Sequence, residues 1–74
     1  MNQAVVRAPI TGTVLEVKAS QGDEVRRDDV LVVIESMKME NEVLCDYDGR
    51  IVSVSAFAGQ SVAEGDELMT LAIG

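Results

Sequence analysis

Seventy-four residues, 47% hydrophobic and 26% charged, suit one small globular domain, near the size at which a single apolar core only just suffices. A formal net charge of −7 excludes the basic patches that nucleic acid and anionic membrane surfaces demand. One cysteine and no histidine exclude an intramolecular disulfide, a cysteine-rich zinc site and the commonest general base, so neither a metal site nor a catalytic residue is expected.

In chain order the residues favour strands throughout. Valine alone supplies 12 positions, and no ten-residue stretch shows helical periodicity with caps. A first strand ends before Pro9. Residues 11–19 then alternate, which places Leu15, Val17 and Ala19 on an apolar face and Glu16 and Lys18 on a solvated one. Gly22 opens a turn, where positive φ is cheap for glycine. A short segment around Val25 leads through Asp29, read as a turn residue, into the apolar run 30–34. Strands over 30–36 and 39–46 follow one another with only Met37 and Lys38 between them, the spacing of a hairpin with a two-residue tip. Cys45, on the second of these, reads as a small buried residue. Beyond it the pattern returns: Val52, Val54 and Ala56 opposite Ser53 and Ser55, then Gly59, Val62, Asp66 and the apolar run 68–73.

That return is a repeat. At an offset of 37 residues, 6–36 lies over 43–73 without a gap and with eight identities. They are Val6/Val43, Gly12/Gly49, Val17/Val54, Ala19/Ala56, Gly22/Gly59, Val25/Val62, Asp29/Asp66 and Leu31/Leu68, where chance gives roughly two or three. Two copies are too few for a solenoid, which needs at least about three. Two halves closing on each other are the better solution. The expected fold is all-β: about four short strands per half, forming two four-stranded antiparallel sheets packed as a flattened barrel or sandwich with quasi-twofold symmetry. Residues 37–42, Met-Lys-Met-Glu-Asn-Glu, fall at the junction of the halves.

The tip breaks a local rule. Two-residue hairpin loops demand positive φ and are usually filled by Asn-Gly, Asp-Gly or another glycine pair, and Met-Lys is neither. Broken rules without structural gain mark places where function is to be sought. Lysine carries a primary amine, a good acyl acceptor, and of the two lysines, Lys18 and Lys38, only Lys38 stands at a tip. Residue type alone still favours a solvated hairpin lysine with methionines covering the end of the fold.

The flanking residues change that balance. Glu35-Ser36-Met37-Lys38-Met39-Glu40 resembles the attachment motif of biotinyl domains, in which the modified lysine lies between two methionines. The resemblance extends over nearly the whole chain, through Ala8-Pro9, Gly12, Gly22-Asp23, Gly49 and Gly65-Asp66-Glu67-Leu68. It implies a flattened β-barrel with the lysine on the hairpin between its halves, and covalent biotin on Lys38. It also implies a carrier rather than an enzyme, with Met37, Met39, Glu35 and Glu40 as recognition elements. The lack of a basic N-terminal stretch before a long apolar run, and of any run of membrane-spanning length, sets the separate expectation of a cytoplasmic protein. The partners implied are a biotin protein ligase, a biotin carboxylase and a carboxyltransferase or decarboxylase. An ordinary lysine is protonated at neutral pH, so the ligase must supply the base that this chain lacks. Ser36 stands where many relatives have alanine. The connection 19–30 is too short for the protruding segment of many acetyl-CoA carboxylase carriers. Two alternatives stay open: a lipoyl carrier on the same fold, whose family usually presents Asp-Lys-Ala, and an unmodified interaction module.

Overall fold

The valine-rich runs and their glycine and aspartate breaks resolve into eight strands in a computed structural model that describes residues 2–74. They are β1 (Asn2–Arg7), β2 (Gly12–Val17), β3 (Glu24–Val25), β4 (Val30–Ser36), β5 (Met39–Leu44), β6 (Gly49–Val54), β7 (Ser61–Val62) and β8 (Glu67–Ile73). Each strand of the first four reappears 37 residues on with unchanged bounds, so β5 to β8 are the mates of β1 to β4. The strand orders are β1-β8-β6-β3 and β5-β4-β2-β7, antiparallel throughout. Exchanging every strand for its mate turns one order into the other, which is the expected quasi-twofold symmetry. The two sheets remain separate ladders, so the fold is a sandwich rather than a closed barrel.

The core obeys the same symmetry. Val14 and Ile51, Leu31 and Leu68, Val32 and Met69, Ile34 and Leu71, and Ala8 and Cys45 are buried pairs 37 residues apart. Asp29 and Asp66 are turn residues, as their position before an apolar strand suggests. Each accepts a 2.8 Å bond on Oδ2 from the backbone N–H three residues earlier, of Arg26 and of Ala63. Gly22 and Gly59 both adopt φ of 91° in matching turns.

One expectation from the sequence fails in both halves of the repeat, and for one reason. Leu15 does not share the buried face with Val17 and Ala19: it is 40% exposed, and Val14 is buried in its place. The ladder between β2 and β4 slips between Val14 and Glu16, and that between β6 and β8 slips between Ile51 and Ser53. One extra residue in a strand shifts the phase of the alternation, so Leu15 and its mate Val52 leave the core to Val14 and Ile51. Val17 and Val54 are half-buried against the core rather than enclosed by it. Gly12 and Gly49 are the first residues of β2 and β6. A Cβ on Gly12 would overlap the carbonyl oxygen of Glu35, and one on Gly49 that of Ala72, so glycine is needed for close backbone approach. The strand after the tip also ends at Leu44, two residues short of expectation, because Cys45 turns aside to bond Asp28 and Asp29 at 2.8 Å.

The registers place the hairpin. Thr13 at the start of β2 lies opposite Glu35, and the chain then runs away from the tip to β3 beside Gly49 and Arg50. These pair with Ile73 and Ala72, so the hairpin tip and the described chain ends lie at opposite ends of a molecule 37 Å long.

These placements separate two substitutions that sequence periodicity alone would rank together. Ile51→Ala should destabilise by about 2–5 kcal/mol, because truncating this fully buried side chain leaves a cavity in the shared core. Leu15→Ala should stay within about 0.5 kcal/mol. Urea unfolding midpoints check the pair, and equal losses would contradict the bulge at Leu15.

Candidate functional site

The last rungs of the β4–β5 hairpin are Ile34↔Asn41, Glu35↔Glu40 and Ser36↔Met39, which leaves Met37 and Lys38 alone as the connection. Both adopt positive φ, 53° and 64°, the pattern of the type I′ turn whose twist matches the flanking strands. For residues bearing a Cβ this conformation costs on the order of 1–2 kcal/mol each. The chain sustains that cost at the tip with neither glycine nor asparagine to relieve it.

The arrangement projects three long side chains into solvent. Met37 is 91% exposed and Met39 67%, so neither covers the core, and Lys38 between them is exposed as well. Among the described residues Lys38 makes no ion pair and no side-chain hydrogen bond, whereas Lys18 is paired with Glu16 at 3.9 Å. A free primary amine on a flexible stem, away from any competing carboxylate contact, fits a cofactor joined through an amide.

Around this amine lies an acidic face. Thr13, Glu35 and Glu40 form one row across β2, β4 and β5, and Glu16, Val33 and Glu42 form the next. Glu35 stands directly opposite Glu40, a like-charge pair that disfavours the hairpin and is tolerated because both carboxylates are exposed. The structure thus brings Glu35, Met37, Lys38, Met39 and Glu40 to one end of the molecule. Cys45 is buried at the other end of β5 from the tip, its thiol donating to the Tyr47 carbonyl oxygen at 2.9 Å.

Sequence reasoning missed Asn41. Its side-chain Nδ2 donates to the carbonyl oxygens of Met39 at 3.3 Å and Ile34 at 3.4 Å, directly beneath the tip. The available signal was a polar residue on the inward phase of β5, two before the buried Val43.

A family model described as "Biotin-requiring enzyme", taking in biotin and lipoyl attachment domains, matches residues 4–71. The chain belongs to this family. A biotin carboxyl carrier protein of Streptococcus mutans is 40% identical over 65 residues, covering 88% of this chain and 50% of that protein. A biotinylated protein TB7.3 homolog of Mycobacterium leprae is 48% identical over 61 residues, covering 82% and 86%. The chain thus spans half the length of the first relative and most of the second. A single-chain, multi-domain long-chain acyl-CoA carboxylase superposes with a TM-score of 0.92 at 35% identity, covering 97% of this chain and 7% of that one.

Exposure of both methionines makes a stability prediction. Met37→Ala and Met39→Ala should each change unfolding free energy by no more than about 0.5 kcal/mol. A thermal melt that collapses in either variant would make these side chains structural.

Proposed function

We propose that Lys38 Nζ holds biotin through an amide bond and that this domain carries it between the active sites of a biotin-dependent carboxylase system. One observation carries the residue assignment: Lys38, unpaired among the described residues, stands at a left-handed two-residue tip between two exposed methionines. The names of the relatives, a biotin carboxyl carrier and a biotinylated protein, support biotin as the group attached.

The chain itself contributes an acceptor and a handle. In ligation the Nζ lone pair attacks the activated carboxyl carbon, the N–C bond forms, the activating group departs, and a base on the ligase takes the proton. No histidine is present here to do so. Once attached, biotin supplies the chemistry of carboxyl carriage, and the protein supplies orientation and reach. Tethering raises the effective concentration of the group at each active site. Met37 and Met39 offer flexible, polarizable contacts that fit several partner surfaces. Glu35 and Glu40 favour approach by basic ones. A biotin protein ligase, a biotin carboxylase and a carboxyltransferase or decarboxylase are the partners this reading requires.

Lys38→Arg keeps the positive charge but removes the nucleophile, because guanidinium stays protonated. Co-expressed with a biotin ligase, this variant should fold normally and show neither avidin reactivity nor the mass increase of the parent protein. Peptide mapping that finds biotin on Lys18 would overturn the residue, and a lipoyl group on Lys38 would overturn the cofactor.

A further inference from the structure

The internal symmetry supplies a control within the molecule, because most core positions are matched by an apolar mate. Asn41 is an exception. It lies on the inward phase of β5, in the row with Ile34 and Val14, and its mate 37 residues earlier is Ala4, opposite Leu71 in β1. Where one half of the sandwich has a methyl group at this rung, the other has an amide, and it is the half that bears the tip.

The amide is engaged. Both bonds leave Nδ2, one to the Met39 carbonyl on its own strand and one to the Ile34 carbonyl across the hairpin. A carbonyl oxygen has two lone pairs, so each can accept from the side chain while also serving the ladder. The amide therefore ties both strands on their core side, on the third rung below residues whose left-handed backbone would relax if the hairpin opened. Neither Ala4 nor a buried apolar residue at position 41 would provide such a tie.

We propose that Asn41 is a positioning residue that holds Met37 and Lys38 in their left-handed turn, so that the ligase meets the Lys38 amine already presented. This rests on Lys38 being the attachment site. When only a fraction of a protein is binding-competent, its apparent dissociation constant rises by the inverse of that fraction. The expected defect is therefore in KM, with kcat nearly retained.

Purified unmodified Asn41→Ala, which copies the residue of the symmetric mate, and Asn41→Asp, isosteric but without the N–H donors, are assayed with ligase, ATP and biotin. Each should lose about tenfold in kcat/KM through KM. In the same proteins, without ligase, NMR shifts of Met37, Lys38 and Met39 should move toward averaged values while core shifts stay in place. Should the alanine and aspartate variants not fold, Asn41→Ser, whose one hydroxyl can hold at most one of the two carbonyls, should show a smaller rise in KM with movement of the tip shifts in the same direction. Parent kinetics with unmoved tip shifts would overturn the proposal. Slow ligation with an unmoved tip would also overturn it, by making Asn41 a direct ligase contact. Labelling that survives Lys38→Arg would instead defeat the attachment-site assignment on which it rests.

Discussion

Because β1 pairs with β8 and β3 with β6, each sheet of this molecule is built from two strands of either half, and neither half can complete a sheet without the other. Burial of Val14, Leu31 and Ile34 together with Ile51, Leu68 and Leu71 is thus a joint property of the repeat. A domain of this length has little apolar area to spare, and interleaving lets eight short strands share one core. The backbone must come close for this to work, and Gly12 against Glu35 and Gly49 against Ala72 are the two places where it does. Both contacts lie beside the end of a long strand, β4 in one case and β8 in the other.

The same interleaving explains where the carrier end is. Quasi-twofold symmetry makes the two ends of the sandwich equivalent in backbone, and chain continuity separates them. At one end β4 passes into β5 through Met37 and Lys38; at the other lie the described termini. Function is expressed as departure from symmetry along the edge strands. Met39 replaces Asn2, Glu40 replaces Gln3, Asn41 replaces Ala4 and Glu42 replaces Val5, all within six residues of the tip. A rigid sandwich beneath a short tip suits a carrier, whose own contribution to the chemistry is placement.

Much of this was legible in the sequence, and what was not has a common physical cause. The repeat, the strand content, the turn aspartates and the two-residue tip all follow from local composition and periodicity. The exposure of Leu15 does not, because a bulge inserts one residue and reverses the phase of everything beyond it without altering composition. Leu31 and Leu68 sit at slips of the same kind, which is why 31–34 reads as an unbroken apolar run and not as alternation. Gly12 was legible as a repeated glycine but not as a packing glycine, since close approach depends on a carbonyl 23 positions away. Asn41 was hidden in the motif itself, where the lysine and methionines draw attention and a polar residue beside glutamates looks merely solvated.

The retained strain at the tip follows from these demands taken together. Glycine at position 37 would relieve on the order of 1–2 kcal/mol, which is not small for so short a chain. It would also widen the backbone states open to the tip, since glycine populates both signs of φ, and would remove the side chain that the tip presents. A methionine held left-handed by the hairpin beneath it keeps one backbone geometry and still presents a mobile, polarizable side chain to each partner. Rigidity in the backbone and adaptability in the side chains are then obtained from the same two residues. The interleaved core supplies the stability against which that strain is held.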